Sequence, residues 1–374
     1  MKNIKLAVDL GTTSIDMCLL SFEDDVVAQR SIKNRQSLYG SDVINRILST
    51  VRDNKILKIM KDMVLDDIVA SIGEMLADIS ADERDITYGC ICGNTTMISI
   101  LLEYDITTLG YYPFKTVLKE SVETGAVNIF GNKIKNDFPL ILSGCASAFI
   151  GGDIISGILY LKNTHNCFND KDVSLLVDLG TNGEMVINNK GMLLATSTAC
   201  GPAFEGSLKK QGVYGSSLID SIVLGVKSGN ISSFGILKDE YLNDGLRISN
   251  ICITSDILRE ILSAKAAIRT GIDYLIKESN ITFDEIENVF IAGGFGKFLN
   301  INNALQIGLL PDCLSSKIKV VGNTSLLGAT LLLKDSSYIH DMDTYTKDKI
   351  TVLQLADKPD YQNNLLNNMC FVRN

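Results

Sequence analysis

Residues 6–20 read LAVDLGTTSIDMCLL and residues 175–187 read LLVDLGTNGEMVI. Val-Asp-Leu-Gly-Thr recurs at 8–12 and 177–181, each time between two apolar, strand-like runs. The repeat predicts two β-hairpins of one design in the two halves of the chain, hence two similar lobes facing one another. Each turn carries glycine, which tolerates positive φ and close backbone approach. Short polar residues follow: Thr12, Thr13 and Ser14 in one copy, Thr181 and Asn182 in the other. Consecutive amides at such a turn form a concavity suited to phosphate. Asp9 and Asp178 end the strands before the turns. A carboxylate beside a phosphate is repulsive unless a cation intervenes, so each predicts Mg²⁺, bound directly or through water. A plain Asp-Leu-Gly turn explains one hairpin well and the pair poorly.

Working outward, residues 43–79 read as helical, with Ile44, Ile47, Leu48, Val51, Ile56, Ile59 and Met60 near the helical period. ITYGCICGN (86–94) reads as a strand, TTMISILL (95–102) as a helix with a threonine cap, and PLILSG (139–144) as a strand. Two glycine-bearing helices stand out, 148–163 and 323–333. Glycine costs roughly 1 kcal/mol in a helix. Gly152, Ser156 and Gly157 in one, and Ser325, Gly328 and Ala329 in the other, would let the two cross closely as a joint between lobes. Two ordinary packed helices would carry the same composition. SDILREILSAKAAIRTGIDYLIKES (255–279) is the best helix, with Ser255 as cap, and Lys265 and Arg269 share a face. That face is either a solvated basic surface or a contact to nucleotide oxygens. NVFIAGGFGKFLN (288–300) brings Gly293, Gly294, Phe295 and Gly296 to a strand end, where backbone can approach a flat ligand. Residues 350–356 read as an edge strand and 361–371 as a short final helix.

Composition bounds the alternatives. The 374 residues are 46% hydrophobic with a formal charge of −9, which suits two globular lobes and argues against nucleic acid or an anionic membrane as partner. No membrane-length apolar run and no signal-peptide pattern is present, so the expected location is cytoplasmic. The nine cysteines include no CxxC and read as reduced thiols, with Cys90 and Cys92 on one strand face. The two histidines, His165 and His340, lie in separate polar segments, which disfavours a Ser-His-Asp triad or a histidine-rich zinc site. Neither a P-loop nor an early Rossmann fingerprint is present.

The two hairpins and IAGGFG resemble the phosphate and adenosine motifs of the actin, sugar kinase and Hsp70 ATPase superfamily. The motifs NRQSLYGSDVINRI (34–47), GNTTM (93–97), GGDIISGIL (151–159), GTNGEM (180–185), GPAFEG (201–206), GSSLID (215–220), AKAAIRTGI (264–272) and the run from Ile291 to Asp312 narrow it. In that order they resemble the ATPase domain of reductive activators of corrinoid proteins. The resemblance implies an α/β protein of two RNase-H-like lobes with a nucleotide cleft between them. The expected boundaries are 1–160 for the first lobe, 161–335 for the second, and 336–374 for a tail packing back.

It further implies ATP and Mg²⁺ as ligands, and ATP hydrolysis coupled to reduction of Co(II) corrinoid to Co(I) in a methyl-transfer protein. Asp9 and Asp178 would position Mg²⁺. Gly11, Thr12, Thr13, Gly180, Thr181, Asn182 and Gly183 would cradle phosphates. Gly293, Gly294, Phe295 and Gly296 would line the adenosine, with Lys265 and Arg269 near the ribose or base. Asp153 is the first candidate for orienting the attacking water, followed by Glu184 and Glu205. Such activators usually carry an iron–sulfur domain, and this sequence has no cluster motif. The expected electron donor is therefore a separate ferredoxin or flavodoxin. The span SLKKQGVY between GPAFEG and GSSLID is shorter than usual in the family. A homodimer is compatible with the sequence. The alternatives are a nucleotide-switched regulator or chaperone without redox role, and a small-molecule kinase of the same fold.

Overall fold

A computed structural model describes residues 3–200 and 215–371. Its contacts divide the chain into two units, one of residues 1–166 with 323–350, the other of 167–322 with 351–374. The first contains a six-stranded sheet built from β1 (Ile4–Leu10), β2 (Ser14–Leu20), β3 (Val26–Lys33), β4 (Ile86–Gly93), β5 (Val122–Gly125) and β6 (Pro139–Leu142), in the order β3-β2-β1-β4-β6-β5. The first three strands form an antiparallel meander; β4 joins β1 in parallel and β6 joins β4 in parallel.

The second unit repeats this plan. Its strands are β7 (Val173–Leu179), β8 (Asn182–Asn189) and β9 (Met192–Ala199), then β10 (Leu246–Ile248), β11 (Ile251–Ile253), β12 (Asn288–Ala292), β13 (Ile318–Gly322) and β14 (Ile350–Val352). The main sheet runs β13-β12-β7-β8-β9-β14, and β10 and β11 form a separate hairpin. Reading each sheet from its third meander strand gives the same sequence of antiparallel, antiparallel, parallel and parallel pairings. This is the RNase-H-like plan in duplicate. Each unit has its own core. Leu6, Val8, Met17 and Ile91 centre the first, and Leu175, Val177, Ile187, Ile261 and Ile291 the second.

The helical region after residue 43 is two helices, Val43–Arg52 and Lys55–Asp78. Asp42 caps the first by accepting from the Asn45 amide. The expected apolar stripe is mostly outside: Ile44, Leu48, Val51 and Ile59 are exposed, and the inward face carries Val43, Arg46, Ile47 and Thr50. Asn94, and not a threonine, caps helix Thr95–Leu101. Thr254 caps helix Ser255–Glu278 in place of Ser255.

Segment 323–350 groups with the first unit, where the sequence put its first part in the second lobe. The cause is the close packing of helix Gly152–His165 against helix Thr324–Leu332. A Cβ on Gly157 would meet Thr324 Oγ1 at 2.7 Å, and one on Gly328 would meet the Ser156 carbonyl oxygen at 2.2 Å. The small residues allow the expected crossing, and it lies inside one unit.

Candidate functional site

In the first unit the β1–β2 hairpin closes at Leu10↔Ile15 and leaves Gly11, Thr12 and Thr13 at its tip. Gly11 does not take positive φ. Glycine is needed there because a Cβ would stand 2.8 Å from the Ser14 carbonyl oxygen. Three side chains behind the turn hold it. Asn34 Nδ2 donates to the Gly11 carbonyl at 2.9 Å, and the Asn34 amide donates to the Thr13 carbonyl at 2.8 Å. Arg46 Nη2 donates to the Thr12 carbonyl. Asn94 Nδ2 donates to Thr12 Oγ1 at 2.9 Å while its Oδ1 caps the following helix. Thr12 is therefore buried and engaged inside the protein, and Thr13 is more open.

Asp9 is partly buried. Its Oδ1 accepts from Ser325 Oγ at 2.7 Å and its Oδ2 from Asn323 Nδ2 at 2.8 Å. Asn323 also caps helix Thr324–Leu332, so one residue fixes both helix and carboxylate. Across the β1–β2 ladder Asp9 faces Asp16, whose carboxylate accepts from Ser14 Oγ. Burial pushes Asp9 up to about 7, the charges of Asp16 and Asp153 push the same way, and the hydrogen bonds from Ser325 and Asn323 oppose them. Asp153, in the first turn of helix Gly152–His165, is raised to about 6 by burial, against the pull of the backbone amide of Ile154. Asp9, Asp16 and Asp153 are thus like-charged neighbours.

The second unit places Asp178 across from Glu184, with Gly180 and Thr181 at the tip and Asn182 opening β8. Gly183 is required by packing: a Cβ would meet Cys200 Sγ at 2.9 Å. Gly293, at φ +88°, follows β12, and a Cβ there would fall 2.5 Å from both Asp178 Oδ1 and the Leu179 carbonyl oxygen. The GGFG turn therefore abuts the strand end that carries Asp178. Gly294 faces open space, but Phe295 packs in the core and Gly296 lies against Ile291, so only the front of that motif is accessible. Lys265 is buried, its Nζ donating to the carbonyls of Asn368 and Cys370. Arg269 pairs with Asp273 at 3.0 Å and lies over the Phe283 ring. The expected solvated basic face is instead an internal anchor for the C-terminal segment. Glu205, with its GPAFEG motif, lies outside the described residues.

Asp16, Asn34, Arg46, Asn323 and Ser325 were not singled out by the sequence for roles at this site. Asp16 and Glu184 each pair across the ladder from the repeat's Asp, but Asp16 stands seven residues after Asp9 and Glu184 six after Asp178, so the sequence repeat alone leaves them one position out of register. Cys90 and Cys92 do share a face, their sulfurs 3.9 Å apart and buried.

The profile described as "RACo middle region" matches residues 4–165. The profile described as "C-terminal domain of RACo the ASKHA domain" matches 172–217 and 207–374. The chain belongs to the RACo family. It is 28% identical to "Corrinoid activation enzyme RamQ" of Eubacterium limosum over 88% of its own length and 64% of that protein's. It is 23% identical to "[Co(II) methylated amine-specific corrinoid protein] reductase" of Methanosarcina barkeri, covering 96% of this chain and 75% of that one. A solved structure, "Reductive activator for corrinoid,iron-sulfur protein", superposes with a TM-score of 0.87 at 26% identity, over 99% of this chain and 66% of its own. The chain thus spans just under two thirds of the RamQ protein and of that solved structure. The α/β actin-like fold expected of the sequence is the fold of this family.

No group of three His, Cys, Asp or Glu side chains among the described residues is placed to hold a metal ion. A carboxylate pair behind each turn fits Mg²⁺ that keeps most of its water, since such an ion needs only one or two carboxylates beside substrate phosphates. No helix among the described residues is long and apolar enough to cross a membrane.

Proposed function

We propose that this chain binds and hydrolyses Mg–ATP and, through nucleotide-dependent change of shape, promotes reduction of Co(II) corrinoid to Co(I) in a partner corrinoid protein. The observation that carries the reading is the repeated hairpin, Asp9/Asp16 behind one Gly-Thr turn and Asp178/Glu184 behind the other, in a chain of the RACo family. Turn residues Gly11–Thr13 and Gly180–Gly183 hold the phosphates, and the Gly293–Gly294 end of the GGFG turn receives the adenosine. Asp9 and Asp178 hold Mg²⁺ through its waters. The ion neutralises phosphate charge when bound.

Phosphoryl transfer depends on positioning and charge neutralisation. Asp153 orients the attacking water and accepts its proton as the bond between the γ-phosphorus and its bridging oxygen breaks, leaving ADP and phosphate. A carboxyl near pH 6 suits that proton transfer. The cobalt gains one electron from a low-potential donor, a separate ferredoxin or flavodoxin. Hydrolysis contributes by favouring one conformation of the complex. The names of the relatives point to a corrinoid protein as partner, and the kinase and regulator readings have no comparable support.

The test mixes the chain with Mg–ATP, a Co(II) corrinoid protein and reduced ferredoxin, and follows the Co(I) absorption band. ATP should accelerate its growth, and the Asp9→Asn variant should not respond. Equal rates with and without ATP refute the reading. Labelled phosphate on a metabolite would point to the kinase.

A further inference from the structure

We propose that Arg46 is the positioning residue of the first phosphate turn: a buried guanidinium that turns the tip amides outward and supplies the positive charge behind them. The proposal deepens the ATP-binding reading and rests on it.

Arg46 is fully enclosed, yet it makes no ion pair among the described residues. Its Nε donates to the Gly40 carbonyl at 3.0 Å, its Nη1 to Gln36 Oε1 at 2.9 Å, and its Nη2 to the Thr12 carbonyl. Gln36 is itself pinned, its Nε2 donating to the Met60 carbonyl at 2.9 Å. Burial lowers Arg46 to about 10 against the opposing pull of the Asp42 charge, which makes no ion pair with it, so it is charged at neutral pH. A buried cation with no carboxylate in contact is costly unless something else profits from it. Its Nη1 also lies 3.1 Å from Met97 Sδ, so Nε and Nη1 anchor the guanidinium to Gly40, Gln36 and Met97 while Nη2 reaches the turn at Thr12. Together Arg46 and Asn34 take the carbonyls of Gly11, Thr12 and Thr13. In a planar trans peptide the N–H points opposite to the C=O. Fixing the Gly11 and Thr12 carbonyls toward Arg46 and Asn34 therefore aims the Thr12 and Thr13 amides to the other side. A cation behind a concavity of amides adds long-range attraction for an anion in front of it. Carboxylates crowd the strand below, so this charge also offsets their repulsion of a polyphosphate.

The test compares wild type, Arg46→Met, Arg46→Lys and Gln36→Leu as full chains. Binding of Mg–ATP and of adenosine is measured by calorimetry, with thermal melts as a folding control. Hydrogen exchange of the peptide spanning Gly11–Ser14 is measured without nucleotide. Arg46→Met should weaken Mg–ATP at least about tenfold and leave adenosine unchanged. Arg46→Lys, which keeps the charge and loses the fork, should fall between. The Gly11–Ser14 amides should exchange faster in Arg46→Met. A folded Arg46→Met that binds Mg–ATP like wild type, or loses adenosine equally, overturns the proposal. If Arg46→Met does not fold, Gln36→Leu decides: Mg–ATP weakened more than adenosine supports it, and equal affinities overturn it. If wild type binds no ATP, the ATP-binding reading fails. The exchange measurement then decides the positioning role, and unchanged exchange overturns it.

Discussion

Asp9 stands directly across the β1–β2 ladder from Asp16. Like charges in opposed cross-strand positions destabilise a sheet. Here the effect is enlarged by burial, which pushes Asp9 from 3.8 up to about 7. The folded chain thus holds the Asp9 proton more tightly than the unfolded chain does. Stability from this group is full below the unfolded value and is lost as pH rises from 3.8 to about 7, with no further change above. Asp153, raised to about 6, contributes in the same direction. Urea titrations without Mg²⁺ at about pH 5 and about pH 8 should show the wild type less stable at the higher pH. Asp9→Asn should remove most of that difference and leave the Asp153 share. Parallel behaviour of the two proteins would contradict this electrostatic account.

Asp153 on one side, and Asp16 and Glu184, each opposite its own hairpin's Asp, on the other, should affect hydrolysis in separable ways. A residue that orients water acts mainly in the transition state, so its loss lowers kcat with little change in KM. Asp153→Asn should lower kcat by about 100-fold. Asp16 and Glu184 face Asp9 and Asp178, the carboxylates proposed to hold Mg²⁺, so Asp16→Asn and Glu184→Gln should raise the Mg²⁺ concentration needed for half-maximal rate. Steady-state ATPase assays across Mg²⁺ concentrations distinguish the two patterns. A kcat effect larger in Glu184→Gln than in Asp153→Asn would exchange their roles.

Gly293 and Gly294 are adjacent and should respond differently. Gly293 has φ +88°, and a Cβ would collide with Asp178 and the Leu179 carbonyl, whereas at Gly294 nothing lies within 4 Å. Gly293→Ala should cost about 2 kcal/mol or more, through backbone strain and displacement of the Asp178 strand end. Gly294→Ala should be near neutral for stability, and should weaken nucleotide binding if adenosine passes over it. Denaturant melts read the first effect and ADP calorimetry the second. Equal destabilisation by both would mean that the turn is not seated against Asp178.

Much of this architecture was readable because it repeats. Val-Asp-Leu-Gly-Thr marks both hairpins, and each forms with its Asp one residue before the closing pair. The strand ends at Gly93 and Ala292 also carry local signals, a short apolar run followed by glycine. What lay hidden was what arrives from afar. Asn323 and Ser325 reach Asp9 across more than 300 residues of sequence, and no local pattern announces that contact. Arg46 was concealed differently. A charged residue in a short helix is read as solvent-facing, and Ile44, Leu48 and Val51 made an apolar stripe on what proved to be the outer face. Lys265 misled for the same reason: two basic residues four apart suggest an open face, whereas the C-terminal segment covers this one.

That cover gives the last prediction. Lys265 Nζ satisfies the carbonyls of Asn368 and Cys370, and Asn368 Nδ2 in turn donates to Thr270 Oγ1 at 2.9 Å. Together with Asp360, which accepts from Tyr274 and Lys277, these bonds fasten residues 360–370 to helix Ser255–Glu278. Replacing Lys265 with Met preserves much of the volume and leaves two partly enclosed carbonyls without their donor, at a cost of roughly 1–3 kcal/mol for each that water cannot reach. The C-terminal segment should then open locally before the sheets unfold, since it is held chiefly at this helix. Limited proteolysis should cut Lys265→Met near residues 355–370 while wild type stays whole, and ADP affinity should change little. Should ADP affinity fall instead with the segment still protected, Lys265 serves the nucleotide and not the fold.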